Sequence, residues 1–236
     1  LMRWDDWDEP KKLSARMDHR NKSSLVWRGG VIAIRGDSGV GKTEMNQMAS
    51  QYARASGMVF MSGSNQEPTH LTVRYGHLLA WQHIVKQIIQ HERQHGQRSD
   101  LDILRGLIPT SQHRWIPLLA DLIPGGIKAL PRFSAYGVDP SESKSRLLDL
   151  VFEIVSSFVD RRECMISLHM RVGTSIFSDE DEDTWKLAHR VAELAMQRMR
   201  DRKHTPFIFC LLCRKKHTLK KHRQQNYGAQ IIDLAK

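Results

Sequence analysis

One stretch narrows the folds open to this chain more than any other. Gly36-Asp37-Ser38-Gly39-Val40-Gly41-Lys42-Thr43 stands directly behind the apolar run Val31-Ile32-Ala33-Ile34. It satisfies the pattern G-x-x-x-x-G-K-[ST], a pattern that carries weight only between a strand and a helix. Both neighbours are there to be read. The run before it is short, apolar and β-branched at its start, as a buried strand requires. After it, Met45, Met48, Ala49, Tyr52 and Ala53 recur at three- and four-residue spacing, an amphipathic helix closed by Gly57. Glycine lets the main chain take conformations closed to other residues, so that successive N–H groups can turn inward around an anion. At a helix N-terminus the first amides lack partners and the dipole favours negative charge, which suits a phosphate. The expectation is that Gly36, Asp37, Ser38, Gly39, Val40, Gly41, Lys42 and Thr43 bind a nucleotide's phosphates. Lys42 would reach the β- and γ-phosphates as the catalytic cation, and the Thr43 hydroxyl would hold Mg²⁺.

The rest of the chain extends this unit. Gly57-Met58-Val59-Phe60-Met61 reads as the next strand, giving strand, helix, strand with a right-handed crossover. Leu78, Trp81, Ile84, Val85 and Ile88 predict a helix over His77 to His91. Residues 100–160 read as all-helical, with Leu147, Leu148, Val151, Ile154, Val155, Phe158 and Val159 on one long apolar face; prolines from Pro109 to Pro140 punctuate what precedes it. Cys164 to Leu168 and Phe207 to Leu212 read as strands, Trp185 to Arg200 as a helix, and 230–234 as a further strand candidate. Alternating strands and helices predict an α/β three-layer sandwich with a parallel sheet of about five strands covered on both faces. Residues 70–160 would form a large helical insertion within a domain spanning 29–236. Residues 1–28, with Trp4, Trp7 and Trp27 scattered among charges, read as an irregular lead-in.

Composition removes several classes. Three cysteines cannot make a disulfide framework. No apolar stretch approaches the roughly 20 residues that span a bilayer, so the expectation is a cytoplasmic chain without membrane insertion. The first residue is Leu1, which suggests a segment of a longer chain. The net charge of +10 attracts polyanions. Much of it sits in Lys11 to Lys22 and in Arg214 to Arg223, runs that are more often solvated loops than nucleic-acid contacts, so nucleic acid is a possible but unfavoured partner.

Read in order, the glycine loop, "YGHLLAWQHIVKQII", "WIPLLADLIPG", "SRLLDLVFEIVSSF", "TWKLAHRVAEL" and "PFIFCLLCR" resemble the P-loop ATPase module of the AAA-like and STAND class. They look most like the modules attached to class III nucleotidyl cyclases of the soluble adenylyl cyclase kind. The resemblance covers roughly residues 29 to 236. It implies ATP as ligand with Mg²⁺, a regulatory role, and other domains of a longer chain as partners. It also implies acids at the end of a strand, one steering Mg²⁺ and one orienting the attacking water.

The strand Cys164 to Leu168 instead runs into His169-Met170. Either Ile176-Phe177-Ser178 is the true strand end, making Asp179 and Glu180 the acids, or the acids are gone and nucleotide is bound without turnover. Arg214 follows the strand from Phe207, where the resembled family often places an arginine that senses the γ-phosphate; a solvated loop residue is the alternative. Two metal patterns fail on context. His91-Glu92-Arg93-Gln94-His95 fits H-E-x-x-H, but Gly96 breaks the helix and no third ligand follows at a suitable spacing. Cys210 and Cys213 lie three apart in an apolar strand and so point to opposite faces. The sequence thus supports an ATP-dependent regulatory switch, with two alternatives: a non-hydrolysing ATP or ADP scaffold, and a nucleic-acid-associated ATPase.

Overall fold

The structure is a computed structural model and describes residues 29–37, 39–64, 78–96, 98–123, 139–170, 179–200, 206–213 and 230–233. Strand β1 (Gly29–Arg35) leads into helix α1 (Lys42–Ala55) and strand β2 (Val59–Ser64). Helices α2 (Leu79–Gly96) and α3 (Asp100–Leu107), a 3₁₀ segment (Thr110–Leu118), the short α4 (Leu119–Leu122) and the long α5 (Pro140–Arg161) follow. Then come β3 (Cys164–His169), α6 (Asp179–Arg200), β4 (Phe207–Cys213) and β5 (Gln230–Asp233).

All pairings are parallel, in the order β2-β3-β4-β1-β5. This order dictates where the helices go. From β1 the chain crosses past β4 and β3 to the edge, then steps back from β2 through β3 to β4. Crossovers between parallel strands are right-handed as a rule, which puts the outward crossing and the return steps on opposite faces. The core divides accordingly. Ile34, Met165, Ile208, Cys210 and Leu212 bury against Ala53, with Met45 and Ala49 of α1 packed alongside. Ile166, Leu168, Phe207, Phe209 and Leu211 face the other way, onto Trp81 and Ile84 of α2, Leu150 and Ile154 of α5, and Val191 and Ala195 of α6. Residues Phe207 to Leu212 of β4 alternate between the two clusters, and all seven residues of the strand are buried, as expected for a strand with helices on both sides. The α/β expectation of a parallel sheet with helical cover therefore holds.

Local chemistry sets the helix ends. Asp139 caps α5 by accepting from the Ser141 amide at 2.9 Å, and Pro140 occupies the first helical position, where its missing donor is not needed. Leu147, Leu150, Val151, Ile154, Val155, Phe158 and Val159 then form the buried stripe. Strand ends shift by two or three residues, with β1 starting at Gly29 and β2 running Val59–Ser64, and two helix boundaries differ more from the sequence reading. α2 continues past His91 and stops at Gly96. α6 starts at Asp179 rather than Trp185, because acids at a helix N-terminus complement the dipole and can lie in a helix as easily as in a loop.

α5 and α6 run side by side in the same direction, as helices returning to parallel strands must. Three ion pairs follow their length: Lys144 with Asp183 at 2.5 Å, Asp149 with Arg190 at 2.9 Å, and Asp160 with Arg198. Among the described residues no helix is long and apolar enough to cross a membrane.

Candidate phosphate-binding site

The sheet order creates one distinctive place. Between β4 and β1 the chain departs in opposite directions, from β1 toward β2 and from β4 toward β5. In open α/β sheets the crevice outside the carboxyl ends of strands at such a reversal is where ligands bind. The glycine loop leaves β1 at that point. Its first amide, Gly36 N, donates to the Cys213 carbonyl at the end of β4, 3.3 Å away.

Two glycines then take left-handed conformations, Gly39 with φ 84° and Gly41 with φ 88°. A methyl group on either would meet nothing within 4 Å. The backbone dihedral therefore requires glycine here, and the space above the loop is open. Gly41 is the N-cap of α1, and no side chain caps the helix there. The first helical hydrogen bond runs from Met45 N to Gly41 O at 2.9 Å. The amides of Lys42, Thr43 and Glu44 consequently have no acceptor within the helix, the condition that makes a helix N-terminus receptive to anions.

Lys42 adds the charge. It is 8% exposed, and its ammonium donates to the Gly36 carbonyl at 2.9 Å and the Asp37 carbonyl at 2.5 Å. Both acceptors are neutral, and among the described residues no carboxylate pairs with it. A buried cation answered only by carbonyls is a standing attraction for an anion. Asp37, Gly39, Val40, Gly41 and Thr43 are exposed around it, while Ser38 lies outside the described residues.

The opposite wall comes from β3. Ser167 Oγ donates to Asn46 Oδ1 of α1 at 2.6 Å, tying that strand to the helix. α1 runs against the direction of the strands. Moving from Ser167 to His169 advances about 6–7 Å toward the carboxyl edge. Moving from Asn46 back to Thr43 or Lys42 advances about 4.5–6 Å the same way. Side chains at 165, 167 and 169 share one face of the strand. Met165 and Ser167 both meet α1, which places half-buried His169 opposite the first turn of the helix. β3 ends there, and the next amide, Met170 N, donates to the Leu212 carbonyl at 2.9 Å.

The structure thus brings Gly36 to Thr43 together with the end of β3, but it puts an imidazole where a carboxylate was sought. Asp179 and Glu180 begin α6 and do not follow a described strand. Asp183 of that acidic run is buried and links α5 to α6 through Lys144. Arg214, the basic run to Arg223 and the alternative strand end at residues 176–178 lie outside the described residues. Asn46, Ser167 and His169 were not singled out from sequence as site residues. The available signal was weak: one hydroxyl inside an otherwise apolar strand.

The two metal patterns fall in different surroundings: His91 is half-buried and His95 exposed on α2, whereas Cys210 and Cys213 are buried in β4. His91 and His95 stack at 4.2 Å, and His91 meets the edge of Phe158 at 5.4 Å. Burial, then the neighbouring His95, hold the His91 imidazole below its ordinary protonation range despite Glu92 alongside. Cys164, Cys210 and Cys213 form no disulfide and are buried, and burial pushes the Cys210 thiol up to about 12. Among the described residues no cluster of His, Cys, Asp and Glu could hold a metal ion. Compared with family models, with curated proteins and with solved structures, the chain finds no match in any of the three.

Proposed function

We propose that this chain is an ATP-binding P-loop module of the AAA-like or STAND kind, acting as a nucleotide-dependent regulatory switch within a larger signalling protein such as a nucleotidyl cyclase. One observation carries the reading: a buried ammonium, Lys42, without a counter-charge among the described residues, at the start of a helix whose first amides have no acceptor within the helix, at the reversal point of the sheet. Phosphates bound there would replace the Gly36 and Asp37 carbonyls as partners of Lys42. Because the loop contacts the end of β4 and α1 contacts β3 at Ser167, phosphate occupancy would be felt at both strands. That is the kind of contact by which a γ-phosphate biases two arrangements of a domain.

His169 at the end of β3 favours a second version, in which ATP or ADP is held without turnover and the ligand stabilises the fold by mass action. Measuring nucleotide binding and phosphate release for wild type, Lys42→Ala and Glu180→Gln separates the two. Binding by wild type, its loss in Lys42→Ala and phosphate release abolished by Glu180→Gln support a hydrolysing switch. Binding without release supports the scaffold. A folded wild type that binds no nucleotide rejects both.

A further inference from the structure

The resemblance that suggests ATP also implies Mg²⁺, and the donor set can be tested for it. Mg²⁺ demands hard oxygen ligands and is held at nucleotide sites through one or two carboxylates together with the phosphates. Thr43 offers a single exposed hydroxyl. Opposite it, β3 presents His169, a nitrogen ring. The carboxylates nearest in sequence, Asp37 and Glu44, are exposed, and the main-chain carbonyl of Asp37 is already bound to Lys42. No Asp or Glu occurs from His169 to Ser178 or from Phe207 to Ile232, the stretches that contain β3's end and follow it, and β4 with its continuation. These residues do not fit a divalent cation. They fit an anion directly.

We infer that this site binds its nucleotide without Mg²⁺, the phosphate charge being met by Lys42, the first amides of α1 and an N–H of His169 directed at the terminal phosphate. The inference rests on the nucleotide reading above and adds who neutralises the phosphates. A phosphate group that would otherwise share its charge with a metal has here a buried ammonium on the loop side and an imidazole on the strand side. A metal ion held between the same walls would face the ammonium at close range, and among the described residues no carboxylate pairs with Lys42 to offset the repulsion.

The experiment is calorimetric titration of ATP and of ADP into the 236-residue chain, once in excess Mg²⁺ and once in EDTA. The expected result is an ATP affinity that differs by less than about threefold between the two conditions, under half of the tenfold that 1.4 kcal/mol represents. His169→Asp supplies the missing carboxylate, and its ATP binding should become at least about tenfold weaker in EDTA than in Mg²⁺. His169→Ala should weaken ATP more than ADP in EDTA, because the imidazole meets the third phosphate; this arm stands if the aspartate variant fails to fold. Wild-type binding that requires Mg²⁺ overturns the inference while leaving the nucleotide reading intact. Equal losses of ATP and ADP in His169→Ala remove the role of His169. A folded wild type that binds in neither condition removes the nucleotide reading itself.

Discussion

Gly41 and Gly57 form a matched pair at the two ends of α1, and replacing each with alanine separates the backbone role of the loop from its ligand role. Gly41 has φ 88° and Gly57 has φ 80°, and a methyl group on either would meet nothing within 4 Å. Both substitutions therefore carry the same kind of cost, an L-residue forced into the left-handed region, about 1–2 kcal/mol. For a chain of this size each kcal/mol lowers Tm by about 2–4 °C, so both variants should melt about 2–8 °C below wild type. Their positions differ. Gly57 closes the far end of the helix, where its amide donates to Arg54 O at 3.0 Å, about 21 Å from the loop along the helix axis. The space above Gly41 is where phosphates would lie. Added ATP at about 100 times its Kd should stabilise wild type and Gly57→Ala by about 2.7 kcal/mol, a rise of about 5–11 °C in a thermal scan. Gly41→Ala should show almost none of that rise. An equal ATP shift in both variants would refute the idea that the open space at Gly41 is the ligand's space. A much larger drop for one variant without ligand would refute the equal-strain premise.

Other expectations are simpler. A Cβ on Gly63 would lie 2.0 Å from the Ala80 carbonyl, where β2 and α2 touch backbone to backbone, whereas one on Gly106 in α3 meets nothing. Gly63→Ala should cost at least about 3 kcal/mol in urea unfolding, the upper end of overpacking; Gly106→Ala should add about 0.5–1 kcal/mol, since a helix interior disfavours glycine. Burial raises the Cys164 thiol pKa above the ordinary 9.0 and takes Cys210 to about 12, so both should resist a disulfide reagent until the chain unfolds. Because the unfolded thiols ionise first, stability should fall as pH rises above about 9. His91 has the opposite sense. Its folded pKa lies below 6.5, so the unfolded chain takes up the proton first and stability should fall as pH drops through that value. The groups that face it are Glu92, His95 and Arg162. His91→Gln should flatten the stability difference between about pH 7.5 and about pH 5.5.

Much of this architecture was legible because the strong signals were local. The apolar run at Val31, the glycine loop and the spacing of α1 each depend on near neighbours, and β1, α1 and β2 lie where those signals put them. The seven-residue apolar run of β4 and the long stripe of α5 were readable for the same reason, since burial on both sides or along one face leaves its mark residue by residue. Boundaries were less secure where two physical tendencies overlap. The acids from Asp179 to Asp183 suit solvent and a helix N-terminus equally, and only the structure shows that they open α6. The site divided in the same way. The loop side of the crevice can be read from one motif, but its far wall is built by residues more than a hundred positions away, through Ser167 and Asn46. That His169 faces the Thr43 turn follows from a strand order and a strand face, neither of which is encoded locally.

The central claim is that the main-chain amides at the start of α1, with Lys42, grip a nucleotide's phosphates. Amide NMR during ATP titration tests it most directly. The resonances of Gly39, Gly41, Lys42, Thr43 and Glu44 should move together and saturate, with slowed exchange of the Lys42, Thr43 and Glu44 amides that have no helical acceptor. Saturable ATP binding that leaves those resonances in place, with the shifts arising elsewhere, would contradict the account.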